Sequence, residues 1–227
     1  MSSSDTLRSL DSTPDHGFGP LGRLAHGVLT EYAGRSLSVP RLHIGQNVLP
    51  DPPFPLTSHI PMPLPQAAWL QTGQDLTRFL TSVAASIRSQ PVPPASAFST
   101  QQRTMQRMLR IDAIALAWAT RTVHPTAGVA EWILTADILS GQATPQDLDP
   151  AVATPTHTVW VVDLTGAALL ACAAAEDATD RSGEGATEPE IQSLPADDPA
   201  AALLHDVLDA QHAWTTAAFG LDRPPAR

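Results

Sequence analysis

Residues 111–119 read Ile-Asp-Ala-Ile-Ala-Leu-Ala-Trp-Ala, a stretch that is apolar at every position except Asp112. An element that is hydrophobic on all sides is typical of the centre of a core. Good N-cap residues precede the stretch at positions 99–100, and Pro125 follows it. The pattern therefore predicts one helix over about 99–123, and its second half should be the most buried element of the chain.

Strand patterns follow on the C-terminal side of this helix. Residues 156–164 are rich in β-branched and aromatic side chains and form the best strand pattern in the chain. Residues 129–136 also predict a strand. Residues 165–166, Thr-Gly, are a turn signal. After this turn, residues 167–174 return as a third strand or, given their alanine and leucine content, as a helix.

Three further helices are predicted from apolar stripes at helical spacing. They cover residues 20–34, 66–89 and 199–219, and Gly73 leaves a gap in the stripe of the second. We therefore predict an α+β fold of four helices and a small antiparallel sheet of two or three strands. A Pro-rich extended arm accompanies them, and a mainly α fold is the alternative.

The arm covers residues 50–65, of which seven of sixteen are proline. Because proline lacks the backbone donor and fixes φ, neither a helix nor a central strand is expected there. The arm also carries large apolar side chains, including Phe54, Ile60 and Met62. We expect it to lie extended and partly buried against its own domain, or else to bind an aromatic-lined groove on another protein.

Composition divides the chain into five segments. Residues 175–198 hold eight acidic residues and one basic residue, which predicts a flexible linker. The predicted segments are a disordered tail at 1–16, a short helix and Pro-rich arm at 17–65, an α+β core at 66–174, the acidic linker at 175–198 and a C-terminal helix at 199–220.

The charge and cysteine content exclude several classes of function. All 13 basic residues are arginine and the formal net charge is −10, which excludes lysine nucleophiles and a Walker-type P-loop and argues against nucleic-acid binding. The one cysteine, Cys172, cannot form an intramolecular disulfide and is interpreted as a small core residue. With no signal-peptide pattern and no sufficiently long apolar run, we expect a cytoplasmic protein without a membrane span.

His205, Asp209 and His212 are the candidate metal ligands on the terminal helix, at i, i+4 and i+7. However, positions i and i+7 lie about 10.5 Å apart along a helix axis, which is poor spacing for one ion. We interpret the three residues as the polar face of an amphipathic helix. The expectation is therefore no stoichiometric zinc or iron and no cofactor.

Four arginines form a second candidate site. Arg103, Arg107, Arg110 and Arg121 share one stripe of the predicted 99–123 helix, and such a stripe could bind an anion or a carboxylate. A solvated helix face is the alternative interpretation. An acidic partner or the chain's own acidic segment would compensate the charge.

The absence of a catalytic motif favours a non-enzymatic function, as an interaction or assembly protein of a larger complex with a protein partner or as a homo-oligomer. One alternative is a small metal-dependent or acid–base enzyme that uses the terminal-helix histidines. A second alternative is a binder of an anionic small molecule at the arginine stripe. The predicted interface residues are apolar and lie on the arm and two helices: Phe54, Ile60, Met62, Trp69, Leu76, Leu80, Leu204, Val207 and Trp214.

Overall fold

The computed structural model describes residues 8–9, 18–33, 35, 37–49, 57–123, 130, 133–134, 143, 147–149, 151, 153–175, 189–195 and 197–221. Its helices with described bounds are α1 (Gly19–Tyr32), α2 (Gln66–Gln71), α3 (Leu76–Ser89), α4 (Thr100–Met108) and α5 (Pro199–Phe219), with a 3₁₀ turn at Ala95–Ala97. Its strands are β1 (Arg8–Ser9), β2 (Arg41–Gln46), β3 (Ser58–Pro61), β4 (Ile111–Val123), β5 (Ala153–Asp163), β6 (Ala168–Ala174) and β7 (Glu190–Ser193).

The strands form one seven-stranded sheet in the order β1-β3-β2-β4-β5-β6-β7, in which β1 is only two residues long. Every neighbouring pair is antiparallel. The fold is therefore α+β. The predicted small sheet of two or three strands is wrong, as is the mainly α alternative, and within the described ranges five helices have complete bounds where four are predicted.

The sheet is larger than predicted because residues 111–119 lie in a strand and not in a helix. Alanine alternates there with large side chains, and a period of two places the two sets on opposite faces of a strand. Because helices cover both faces, no polar residue marks the alternation except Asp112. The predicted N-cap is correct: Ser99 forms a capping box with Gln102, but the helix that it starts ends at Met108.

The sheet is the middle layer of three. One face packs against α3 and α5 through the large β4 side chains Ile114, Leu116 and Trp118. The opposite face packs against α1, and the side chains that β4 contributes to it are small: Ala113, Ala115 and Ala117. These alanines let α1 approach β4 closely.

Gly45 in β2 marks the closest approach of α1. A Cβ atom at this position would lie 2.7 Å from Cδ2 of Leu24 on α1 and 2.9 Å from Cβ of Ala113 on β4. Both distances are shorter than side-chain carbon atoms adopt. A glycine is therefore required between α1 and the sheet.

The predicted helix over 66–89 is two helices. Gly73 and Gln74 have φ values of 69° and 61° between them, and this left-handed turn separates α2 from α3. Asp75 then caps α3 by accepting a hydrogen bond from the backbone N–H of Arg78 at 3.0 Å. Gly73, read from the sequence as a gap in one stripe, is therefore a break in the helix.

The terminal helix α5 begins and ends close to its predicted bounds. The Asp198 side chain caps it by accepting from the Ala201 N–H at 2.8 Å. The helix packs against α3 and across β4 and β5, and Leu204 and Val207 are fully buried in the core that they share. The apolar stripe of α5 therefore lies inside the core of this chain.

Several segments predicted to lack structure contribute strands. β3 lies within the Pro-rich arm and pairs with both β1 and β2, so the expectation of no central strand is wrong for Ser58–Pro61. β1 lies within the predicted disordered tail, and β7 lies within the predicted acidic linker and pairs with β6. Ile60 and Met62 of the arm are partly buried, as predicted, whereas Phe54 lies outside the described residues.

The C-terminal half matches its predictions in part. The strand over 156–164 and the third strand over 167–174 correspond to β5 and β6. Of the strand predicted over 129–136, the structure describes positions 130, 133 and 134, and these are helical. Within the described ranges, no helix has both the length and the apolar character needed to cross a bilayer.

Candidate functional site

Two histidines lie side by side on the face of the sheet that α1 covers. In the antiparallel pairing of β2 with β3, His43 is opposite Pro61 and His59 is opposite Gly45. The two histidines are therefore diagonal neighbours, and the period of two places both side chains on the same face. Gly45 between them leaves room for α1 above.

The last turn of α1 brings a carboxylate and a phenol to the same place. Leu24 and Val28 anchor α1 in the core, and both are fully buried. Residues three and four positions further along a helix lie on the same side, so Glu31 and Tyr32 also turn towards the sheet. α1 ends at Tyr32, directly above the histidine pair.

The side chains form a short chain of polar contacts. The Tyr32 hydroxyl lies 2.8 Å from Nε2 of His43. Nδ1 of His43 lies 3.2 Å from Nδ1 of His59. Nδ1 of His59 lies 3.9 Å from Oε2 of Glu31. Among the described residues, Glu31, His43 and His59 form a group in which one potential metal-ligand atom from each residue lies within 4.8 Å of the others.

The cluster is enclosed by the protein. His43 is 0% exposed and His59 is 2% exposed. The Glu31 side chain is 11% exposed. A buried carboxylate is costly unless a hydrogen bond or a positive charge compensates it. Glu31 also lies at the C-terminal end of α1, where the helix dipole disfavours negative charge.

The distance between the imidazoles is compatible with one shared ion. With Zn–N bonds of about 2.05 Å, two nitrogen ligands of a tetrahedral zinc ion lie about 3.3 Å apart. The Nδ1 atoms of His43 and His59 are 3.2 Å apart. The Glu31 carboxylate oxygen is further away, at 3.9 Å from Nδ1 of His59, and its side chain would have to move closer to complete the set. Without an ion, the same separation is that of one N–H···N hydrogen bond between the rings.

Tyr32 is placed to orient one of the ligands. If Nδ1 of His43 binds an ion, its Nε2 carries the proton and donates it to the Tyr32 hydroxyl oxygen at 2.8 Å. Metal-bound histidines usually donate their second ring N–H in this way, which fixes the tautomer and the plane of the ring. The rings of Tyr32 and His43 contact each other edge to face.

The metal candidates predicted on the terminal helix do not form a shared site among the described residues. Nδ1 of His212 donates to the backbone carbonyl of Ile111 at 3.1 Å, and the Thr216 hydroxyl lies 3.4 Å from its Nε2. Asp209 is exposed, and His205 is partly buried. His212 thus connects α5 to the first residue of β4, which is a structural role.

The predicted arginine stripe is divided by the change from helix to strand. Arg103 and Arg107 lie on α4, whereas Arg121 lies in β4, so the four residues do not share a helix face. Arg110 lies between the two elements, and its Nε donates to Oδ2 of Asp112 at 2.9 Å. For Arg110, the compensating acid is therefore its sequence neighbour Asp112.

Asp112 is a buried structural carboxylate. It is 0% exposed and accepts hydrogen bonds from the backbone N–H groups of Val48 at 2.9 Å and Leu49 at 3.2 Å. Burial raises its pKa, and these hydrogen bonds together with Arg110 oppose that rise. Asp112 and Arg110 thereby fix the loop after β2 to the start of β4.

The predicted interface residues on the helices are mostly core residues. Trp69, Leu76, Leu80, Leu204 and Val207 are buried in the cluster between the sheet, α3 and α5, and Trp214 is partly buried against it. Cys172 in β6 is half-buried, and burial raises the pKa of its thiol, in keeping with its interpretation as a core residue.

Sequence reasoning missed the histidine cluster. A local signal existed, because residues 41–46, Arg-Leu-His-Ile-Gly-Gln, alternate apolar and polar side chains as an amphipathic strand does. That signal would have identified β2. His43 and His59 are 16 positions apart, and only the pairing of β2 with β3 brings them together.

Comparisons of the chain with protein-family models, with curated proteins and with solved structures found no match. The functional argument therefore depends on the geometry of the cluster.

Proposed function

We propose that this protein binds one divalent transition-metal ion of the zinc class through Glu31, His43 and His59. The observation that carries the proposal is the pair of buried imidazole nitrogens, 3.2 Å apart, beside a largely buried carboxylate. Two imidazoles and one carboxylate are a ligand set that zinc and ferrous iron both use.

Electrostatics support a cation at this place. The carboxylate of Glu31 and the C-terminal end of α1 both contribute negative potential beside the two imidazoles. A divalent ion would neutralise the carboxylate and interact favourably with the helix end. Tyr32 supports the same assignment, because its hydroxyl accepts the N–H that a metal-bound His43 would present.

Elemental analysis tests the proposal directly. The chain is purified without a metal-affinity tag, incubated with zinc, dialysed and analysed by plasma mass spectrometry. We expect one zinc ion per chain in the wild type and a loss of bound zinc in His43→Gln and His59→Gln. His26→Gln is the matched control, because His26 lies on α1 outside the cluster and its substitution should leave the bound zinc unchanged.

The result that would overturn the proposal is equally clear. It fails if the wild-type chain retains no zinc and calorimetric titration with zinc shows no binding, or if the His43 and His59 variants bind as the wild type does. The expectation from the sequence, no stoichiometric zinc or iron, was based on the spacing of His205, Asp209 and His212. The same measurement decides between that expectation and the proposal.

An interaction or assembly function is the second candidate, and one surface favours it. Helix α4 has no buried residue. Met105 and Met108, one turn apart on it, are 49% and 37% exposed. Flexible apolar methionines are common at protein-binding surfaces. Sedimentation of the purified chain would measure self-association, and the two functions are compatible with each other.

A further inference from the structure

We infer that the ion acts as a structural cross-link, which holds the outer edge of the sheet and the end of α1 in place, so that metal occupancy controls whether this edge is formed. This inference rests on the proposed function and adds what the bound metal does. The three ligands belong to three different elements, and one of them is also a pairing partner of β1.

Each ligand belongs to a different element. Glu31 is in the last turn of α1, His43 is in the inner strand β2, and His59 is in β3. β2 is fixed to the centre of the sheet, because it pairs with the long strand β4 over residues 41–46. An ion bound to all three residues would therefore connect α1 and β3 to a strand that is already held.

β3 is a short strand near the outer edge of the sheet. It has four residues, and its neighbour on the outer side is β1, which has two. His59 is itself the pairing partner of Arg8 in β1, and Ser58 is the partner of Ser9. An interaction that holds the backbone of His59 in place therefore also holds the edge of β3 with which β1 pairs. The metal ligand and the attachment point of the N-terminal strand are the same residue.

Thermodynamic linkage gives the size of the effect. A ligand that binds the closed arrangement and not the opened one disfavours opening by the factor 1 + [L]/Kd. When free zinc is 100 times its Kd, openings that separate Glu31 or His59 from His43 become about 100 times rarer. Amide hydrogens that exchange through such openings slow by the same factor.

Hydrogen–deuterium exchange with mass spectrometry measures this effect. We expect zinc to slow exchange in peptides covering β1, β3 and the last turn of α1, by up to about 100-fold. The matched control is β7, a strand of four residues at the opposite edge of the sheet, whose local fraying does not involve the cluster. Its exchange should not change with zinc.

Two variants separate the cross-link from metal binding. Glu31→Gln keeps the shape of the side chain and removes its charge, so zinc should bind more weakly and the protection of α1 should be lost. Tyr32→Phe removes the hydroxyl that contacts Nε2 of His43, and we expect the zinc affinity of this variant to fall by about 10–100-fold. When the zinc concentration is high enough to saturate Tyr32→Phe, the protection of β1, β3 and the end of α1 from hydrogen exchange should return.

Each outcome decides between the two ideas. If zinc binds at one ion per chain but slows hydrogen exchange in β3 no more than in β7, the cross-link is refuted and metal binding stands. If zinc does not bind at all, the proposed function fails and the inference fails with it. If zinc protects Glu31→Gln as strongly as the wild type, Glu31 is not part of the cross-link.

Discussion

Replacing Gly45 with alanine tests both the packing of α1 and its connection to the histidine cluster. The added Cβ would meet Leu24 Cδ2 at 2.7 Å and Ala113 Cβ at 2.9 Å. The Leu24 side chain is enclosed in the core, and Ala113 Cβ is fixed to the backbone of the central strand. Either α1 or β2 must therefore move.

The expected cost follows from two opposing effects. Overpacking a well-packed core costs about 1–3 kcal/mol. Replacing a strand glycine with alanine returns about 0.5–1 kcal/mol, because the unfolded chain loses freedom. The middle values of these two ranges leave, for Gly45→Ala, a free energy of unfolding lower by about 1 kcal/mol. For a chain of this length that corresponds to a fall in Tm of a few degrees.

Urea denaturation of four proteins gives the test. They are the wild type, Gly45→Ala, Ala113→Gly and the double variant. Because Ala113→Gly removes one of the two clashing carbons, the cost of Gly45→Ala should be smaller in that background, with a coupling free energy of about 0.5 kcal/mol or more. A Gly45→Ala variant as stable as the wild type, or a coupling of zero, would show that α1 does not lie this close to the sheet.

Two further predictions concern the terminal helix and a buried histidine. Leu204→Ala should lower the free energy of unfolding by about 2–5 kcal/mol in one cooperative transition, whereas a detachable helix would leave the main transition unchanged. Burial lowers the pKa of His157, so the unfolded chain binds a proton near pH 6.5 more readily than the folded one does. The contribution of His157 to stability is therefore complete above about pH 6.5 and is lost as the pH falls below it. Denaturation at pH 7 and pH 5 should show that the free energy of unfolding falls less on acidification in His157→Gln than in the wild type.

The sequence predicted the elements whose pattern is local. The stripe of α5 and its Asp198 cap, the Ser99 capping box and the β-branched strand β5 were all found, because each depends on residues within a few positions of one another. The main error also has a local explanation. Residues 111–119 are apolar on all sides and follow good N-cap residues, which predicts a continued helix, although alanine and large residues alternate there with a period of two.

The tertiary environment explains why that alternation was hard to recognise. In a strand with one solvated face, polar residues mark every second position. β4 has no solvated face over residues 113–118, since α1 covers one side and α3 with α5 covers the other. In β4 the size of the side chain alternates, with alanine towards α1 and large residues towards α3 and α5. This alternation indicates a strand only when it is known that helices pack on both faces.

The histidine cluster was beyond local patterns for a related reason. Its residues are unremarkable in their own segments, and β3 lies in a stretch where proline argues against strands. Proline is tolerated there because Pro61 is the last residue of β3, opposite His43, near the outer edge of the sheet. The pairing of a short strand near the sheet edge, and not a motif, creates the site.

The packing of α1 on the sheet therefore determines the geometry of the histidine cluster. α1 reaches the histidines only because Gly45 and the alanines of β4 let it lie close to the sheet, and Gly45 itself is the residue opposite His59. A bulkier residue on this face would lift α1 and carry Glu31 and Tyr32 away from His43. Substitutions such as Gly45→Ala should therefore weaken zinc binding as well as stability, although Gly45 contributes no ligand atom. A metal site assembled by helix-on-sheet packing is sensitive to residues that never touch the metal, and that sensitivity distinguishes it from a site held within one loop.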